Sequence, residues 1–300
     1  MKRRDILKLA GAGGVLLLSG TAAAGDTQGM ASNDDALGVL VDTTVCIGCR
    51  KCEWACNQAN ALSSRDSKAF EDKSVCRKQR RPVDDAFTVV NAFDGRRSDG
   101  EPSYMKIQCM HCFKPACVSA CLVGALRKTP EGPVTYDSWK CMGCRYCMVA
   151  CPFQIPAYEY SDPLTPRVRK CTFCAERLGE GKKPACVEIC PNEALTFGKR
   201  RDLVMLAYSR IRQFPDRYVD HVYGENEAGG TSWMYLSPVD FTKTELPALN
   251  SRPIPEITET IQHGVFRWFV PPVLLYGILG LSMISMKTGD QDKKEDDNGA

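Results

Sequence analysis

An α+β fold, built of two interleaved cysteine-rich modules and followed by a C-terminal transmembrane helix, is predicted by three observations on this 300-residue sequence. Sixteen of its 17 cysteines fall into four compact quartets. Short apolar segments bounded by turn residues flank those quartets, as strands and hairpins do. One apolar stretch, residues 264–287, stands near the end of the chain. The 25% of charged residues and 8% of aromatic ones place the rest in the folded class, with one or two domains. Net charge is +3, but residues 1–24 alone carry +3 and the tail from Lys287 carries −2. The body is therefore almost neutral, which gives a nucleic-acid partner no support.

The N-terminus sets how the cysteines are read. Arg3-Arg4 and Lys8 precede a mildly apolar run from Leu9 to Ser19 and the small residues Thr21 to Gly25. A basic region, a short apolar region and an Ala-x-Ala site make a signal peptide over 1–24. The arginine pair assigns it to the twin-arginine route. An exported chain with 17 Cys would ordinarily be a disulfide framework. Twin-arginine export reverses that expectation, because it carries folded chains with their cofactors already inserted.

The first quartet (Cys46, Cys49, Cys52, Cys56) and the third (Cys141, Cys144, Cys147, Cys151) both read C-x2-C-x2-C-x3-C. This is the bacterial ferredoxin run, in which three thiolates hold one iron–sulfur cubane and the fourth reaches a second. The second quartet (Cys109, Cys112, Cys117, Cys121) is a spaced variant, and the fourth (Cys171, Cys174, Cys186, Cys190) carries an 11-residue insertion after Cys174. Two C-x2-C pairs would satisfy a tetrahedral zinc. A third thiolate two residues on, and a fourth at x3, exceed what one zinc uses. Sixteen thiolates at four per cluster give four 4Fe-4S clusters.

The elements around the quartets suit two interleaved bacterial ferredoxin-like (4Fe-4S) modules. Val39 to Thr44 leads into the first quartet and Ala194 to Phe197 follows the fourth, as paired strands of an outer module. Ala125 to Lys128, a turn at Pro130-Glu131-Gly132 and Val134 to Asp137 read as a hairpin between quartets two and three. The double domain then covers 36–200, with an inner module at about 105–160 and a Lys/Arg-rich insert at about 57–104. Residues 201–262 are expected to be a partner-docking extension.

Within the apolar stretch, Trp268 to Met286 holds no charge over 19 residues, close to the roughly 20 a spanning helix needs. Pro271-Pro272 shortens the regular helix to a length below the hydrocarbon thickness. Irregular backbone at membrane depth must be covered by protein, so an integral membrane partner is expected around 264–272. Residues 288–300 would be a cytoplasmic tail.

The chain resembles the four-cluster ferredoxin subunits of membrane-bound respiratory oxidoreductases over nearly all of its mature length. The resemblance is carried by the quartets, by Gly143-Cys-Arg-Tyr-Cys-Met-Val-Ala-Cys-Pro-Phe153, by Pro184-Ala-Cys-Val-Glu-Ile-Cys-Pro191 and by Val222-Tyr-Gly-Glu-Asn-Glu-Ala-Gly-Gly-Thr231. A signal of its own and one C-terminal span make it most similar to the HybA-type subunits of the periplasm-facing nickel-iron hydrogenase-2. The iron–sulfur subunits of membrane formate dehydrogenases are similar in the quartets and the span but typically lack a signal.

This resemblance implies crossed ligand sets. Cys46, Cys49, Cys52 and Cys190 hold the first cluster, and Cys56, Cys171, Cys174 and Cys186 the second. Cys109, Cys112, Cys117 and Cys151 hold the third, and Cys121, Cys141, Cys144 and Cys147 the fourth. It further implies a non-catalytic subunit of anaerobic respiration on the periplasmic side of the membrane. Its partners are then catalytic hydrogenase subunits and a quinone-reactive integral membrane subunit. Leu122 and Asn57 depart from the pattern, standing where proline often follows the last cysteine.

Several residues remain. Cys76 lies outside the quartets and is expected to be a plain thiol. The run Arg77-Lys78-Gln79-Arg80-Arg81 reads as a solvated face or a docking surface. His111, between Cys109 and Cys112, is placed to donate to a cluster sulfur. His221 has no chemical context, and His263 precedes the span as an interfacial residue. Arg50, Lys51, Arg145 and Lys170 adjoin ligands and favour the reduced clusters. No dinucleotide loop, nucleophile–base pair or nickel or molybdenum site is found.

Overall fold

The computed structural model describes residues 35–63, 65–95, 100–259 and 276–284. In chain order these form strand β1 (Leu37–Asp42), helix α1 (Lys51–Ala59), strands β2 (Val89–Phe93) and β3 (Ser103–Ile107), and helix α2 (Ala116–Ser119). The hairpin β4 (Leu126–Lys128) and β5 (Val134–Tyr136), helix α3 (Tyr146–Ala150) and the pair β6 (Ala157–Tyr158) and β7 (Val168–Arg169) follow. Helices α4 (Ala175–Gly179) and α5 (Ala185–Glu188), strand β8 (Leu195–Lys199), helix α6 (Arg200–Gln213) and strand β9 (Trp233–Leu236) complete the order.

The expected outer strands pair: β1 lies antiparallel to β8, with Val41 opposite Leu195. A third strand, β9, joins the other edge of β1 in parallel, with Val39 opposite Trp233. Side chains alternate across a strand, so this sheet divides the interior. Val39, Val41, Trp233 and Tyr235 face the cysteines Cys56, Cys171 and Cys186. Leu40, Met234 and Leu236 face α6, which answers with Leu203, Ala207 and Ile211. Those three recur every four residues, one apolar stripe on a helix. Each such fully buried side chain contributes about 1.5–3 kcal/mol. Asp42 closes the end of β1: its buried carboxylate accepts from Tyr218 Oη at 2.8 Å and Arg210 at 3.1 Å. The stretch 201–262, expected as an extension for a partner, thus supplies α6 and the third strand of the central sheet.

The hairpin between quartets two and three forms as β4–β5, with Leu126 opposite Tyr136. Its turn rests on the outer module, where Leu37 N–H donates to Glu131 C=O at 3.0 Å. Gly132 makes this approach possible, since at φ +122° a Cβ would stand 2.9 Å from the Leu37 oxygen. The stretch Val222–Thr231 forms a second seat. Glu227 accepts from Gly224 N–H and pairs with His221 at 2.7 Å, and Gly230 C=O receives Phe113 N–H from the inner module. Arg200 ties both parts, donating to Glu225 C=O while its guanidinium covers the Phe113 ring.

The Lys/Arg-rich insert is more than a solvated face. It buries Phe70 and Cys76, and its strand β2 pairs with β3. Glu53 of α1 anchors it: one carboxylate oxygen accepts from Arg80 and from Val90 N–H, the other from Arg50.

The signal over 1–24, His263, most of the span over 264–287 and the tail over 288–300 lie outside the described residues. Among the described residues no helix is long and apolar enough to cross a membrane. Residues 276–284 are helical and carry exposed Tyr276, Ile278, Leu279, Leu281 and Met283.

Replacing Glu53 by Gln leaves two arginines without their carboxylate and should cost about 3–5 kcal/mol of unfolding free energy. Burial works to raise this carboxyl, but the bonds from Arg80 and Arg50 outweigh it and hold the group below its ordinary 4.5. Its stabilisation is therefore complete above that pH and lost as pH falls through the lower folded value. Thermal unfolding followed by circular dichroism should show wild type and Glu53→Gln well separated at pH 7 and converging in acid.

Candidate metal centres

Each quartet begins with a C-x2-C loop, and all four loops share one backbone feature. The residue before the second cysteine is left-handed: Gly48 (φ 66°), His111 (48°), Gly143 (73°) and Phe173 (56°). A left-handed residue in such a turn gathers successive N–H groups into a concavity that receives anions, iron–sulfur groups among them. In quartets one and three a second left-handed residue, Arg50 (57°) or Arg145 (59°), then starts α1 or α3. Quartets two and four instead enter α2 and α5 through Pro115-Ala116-Cys117-Val118 and Pro184-Ala185-Cys186-Val187. Quartets one and three are one kind of half-module, and two and four the other.

After the fourth cysteine the chain turns. Cys121, Cys151 and Cys190 each accept at C=O from the residue three on, and that residue is left-handed: Gly124 (61°), Gln154 (52°) and Glu193 (49°). Leu122 therefore keeps the turn that Pro152 and Pro191 make. Cys56 is the exception, because α1 runs on to Ala59 and takes Asn57 into the helix. Backbone donors reach the sulfurs directly, as Ala125 N–H does to Cys121 Sγ at 3.1 Å.

All seventeen cysteines are free thiols. Their electrostatic contacts fall into four groups. Cys46 meets Cys190 and Cys49, and Cys56 meets Cys171, Cys186 and Cys174. Cys112 meets Cys109, Cys151 and Cys117, and Cys147 meets Cys141, Cys121 and Cys144. Electrostatic interactions between groups link neighbours in a row: Cys52 with Cys186, Cys171 with Cys109, and Cys117 with Cys147. One group visibly surrounds a space, since Cys46, Cys49, Cys52 and Cys190 line a single cavity with Val41, Val90, Leu195 and Lys106.

Burial pushes Cys46, Cys117 and Cys171 up to about 12, and Cys147 to about 11. Such thiols ionise only against a bound cation. Among the described residues no three His, Cys, Asp or Glu converge as they would around one ion. Four thiols around one cavity, as Cys46, Cys49, Cys52 and Cys190 stand, suit a group with an iron at each corner.

Two buried donors support the same fit. Val134 N–H donates to His111 Nδ1 at 2.8 Å, which assigns the ring proton to Nε2, and that atom has no partner. Burial, then Lys170 and Lys128, hold the imidazole well below its usual range, so it stays neutral. Trp233 Nε1 is likewise buried without an acceptor. Both project from elements packed against the thiols, where sulfur atoms of a cluster would receive them.

Three lysines are sunk among these groups. Lys170 donates to Val134 and Cys171 carbonyls, and Lys128 to His111 and Gly132 carbonyls. The Lys106 ammonium donates to Gln108 Oε1, its one hydrogen-bond acceptor among the described residues. Sequence reasoning had reached Lys170 but missed Lys106 and Lys128, which adjoin no cysteine along the chain. The Pro-Ala-Cys-Val run at 184–187 recurs at 115–118, which marks quartets two and four as alike. Arg50 is buried with its charge met by Glu53, whereas Lys51 is exposed and Arg145 lies over Tyr158. Cys76 is fully buried against Val90 and Tyr104, beside Cys46 and Cys52. At the far end of the row Cys144 is exposed, amid uncovered Leu122, Trp139, Met142, Val149 and Leu164.

Comparison with known proteins agrees with this geometry. The 4Fe-4S dicluster domain family matches residues 101–200. A protein of Nitratidesulfovibrio vulgaris (strain Hildenborough) is 48% identical over 303 residues, covering 98% of this chain and 80% of that protein. The hydrogenase-2 operon protein HybA of Escherichia coli O157:H7 is 34% identical over 329 residues, 99% of each chain. The iron–sulfur subunit of the nitrate-inducible formate dehydrogenase of Escherichia coli K12 is 36% identical over 205 residues, 66% of each.

The left-handed loops can be tested one against another. A Cβ on Gly48 would lie 2.5 Å from the Tyr104 ring, whereas one on Gly124 would meet nothing within 4 Å. Gly48→Ala should lose the iron and sulfide of one cluster on chemical analysis. Gly124→Ala should keep them and cost about 1–2 kcal/mol of backbone strain.

Proposed function

This chain belongs to the HybA-type family of ferredoxin-type iron–sulfur electron-transfer subunits, and from that premise we propose that it relays single electrons through four 4Fe-4S clusters. The relay runs between a periplasmic nickel-iron hydrogenase and a quinone-reactive integral membrane subunit. The observation that carries this reading is the row of four thiol groups, each within electrostatic reach of the next. A row of closely set sites suits conduction. The ligand sets proposed are Cys46, Cys49, Cys52 and Cys190; Cys56, Cys171, Cys174 and Cys186; Cys109, Cys112, Cys117 and Cys151; and Cys121, Cys141, Cys144 and Cys147.

Bound clusters supply one-electron chemistry, and the protein sets its terms. The central sheet and Trp233 keep water from the first two groups. Backbone N–H groups, His111 Nε2 and Trp233 Nε1 are available to the sulfurs, and such donors favour the more negative, reduced state. Around Cys144 the exposed apolar side chains offer a partner a surface where an electron crosses at short range. The near full-length match to HybA, against two thirds for the formate dehydrogenase subunit, favours the hydrogenase partner. The twin-arginine signal over 1–24 and the span over 264–287 put the body on the periplasmic side of the membrane. The exposed apolar helix at 276–284 supports the anchor.

Three measurements test these statements. Cys121→Ser should perturb the cluster of quartet three and leave that of quartet two intact; EPR showing the reverse would refute the crossed sets. Alkaline carbonate should leave the full chain in the membrane fraction, and its release would end the anchor. Purification from detergent-solubilised membranes should bring down a nickel-iron enzyme, whereas a molybdopterin subunit would transfer the chain to the formate dehydrogenase branch.

A further inference from the structure

Lys106 is the odd cation of the molecule. It sits on β3, 2% exposed, and no carboxylate pairs with it among the described residues. Of its three donor hydrogens one is used, on Gln108 Oε1 at 3.0 Å. That acceptor is held in place: Gln108 Nε2 donates to Tyr235 Oη at 2.7 Å, and Tyr235 in turn donates to the Lys106 carbonyl at 2.8 Å. The ammonium lies 4.5 Å from the centre of the Trp233 ring. The nearest acid along this wall, Glu53, is already engaged by Arg50 and Arg80.

A buried ammonium without a counterion is costly and ordinarily gives up its proton. Here the counterions are sulfurs. Lys106 lines the cavity of Cys46, Cys49, Cys52 and Cys190, and it also interacts with Cys56, Cys171 and Cys186 of the adjacent group. Resting on the reading of the quartets as cluster ligands, we propose that Lys106 sets the reduction potentials of the first two clusters jointly, as one fixed positive charge shared across the junction between them. Each cluster gains negative charge on reduction. A cation in low-dielectric surroundings favours that state in both, and offsets the repulsion between two reduced neighbours. Lys106 is a positioning residue for electrons and touches no substrate.

The test uses the full-length chain purified anaerobically with its clusters, titrated redox-step by redox-step and followed by EPR. Lys106→Met should make reduction of the first two clusters at least tenfold less favourable, 59 mV for one electron, and leave the other two unmoved. Lys106→Arg, which keeps the charge, should hold wild-type potentials. Unchanged potentials in Lys106→Met, or an equal shift in all four clusters, would overturn the proposal. Should Lys106→Met lose cluster iron, Lys106→Gln removes the same charge with a polar side chain; loss in both variants would make the residue structural and also overturn it. Failure of the underlying reading looks different, since wild type itself would then lack the iron and sulfide of four clusters.

Discussion

Everything in this molecule depends on thiols that cannot ionise where the chain has put them. Desolvation raises the buried cysteines far above neutrality, and the protein supplies no disulfide to relieve them. A fold with this many buried sulfurs is complete only when external positive charge enters it. The left-handed turns, the unpartnered indole and imidazole N–H groups and the sunken lysines are all responses to negative charge that the apoprotein lacks. They are expensive alone: a positive φ at His111 or Phe173, a buried donor without acceptor and a lysine away from water each cost free energy. They become mutually consistent once sulfur anions are present.

Much of this could be read in the amino-acid order. The quartets and the β4–β5 hairpin follow from cysteine spacing and apolar alternation, because each is local, whereas the long-range pairing of β1 with β8 follows from reading quartets one and four as one outer module. Strand β9 escaped notice for a physical reason. It is buried on both faces, so Trp233-Met234-Tyr235-Leu236 shows no alternation, and its partner lies at the opposite end of the chain. Lys106 and Lys128 escaped for a related reason: their neighbours are close in space and distant in sequence. His111 was visible through its place between two cysteines, but its lone Nε2–H was not. The signal over 1–24 and the greater part of 264–287 rest on sequence alone.

The internal likeness of the half-modules explains why leucine at 122 keeps the local turn. What recurs is a backbone path, a left-handed residue in the C-x2-C loop and a closing turn after the fourth cysteine. Leucine follows that path as proline does. The one loop that leaves it, after Cys56, is the one from which the insert departs. Its extra helical residues carry the chain into the insert, whose Arg80 and Val90 return to Glu53 and whose strand β2 pairs with β3, the strand of Lys106. The insertion thereby acquired a structural role in the wall of the first group.

The parallel pairing of β1 with β9 carries a consequence for how the chain is made. Thr43 reaches Leu236 through a hydrogen bond across 193 positions, so the strand leading into the first quartet is sealed by a segment synthesised long after it. Contacts of such separation form late and slowly. Until then the first two groups stay open along the edge of β1 that β9 will cover. A chain cut short before β9 would retain every cysteine and still have no lid over its first pair of centres.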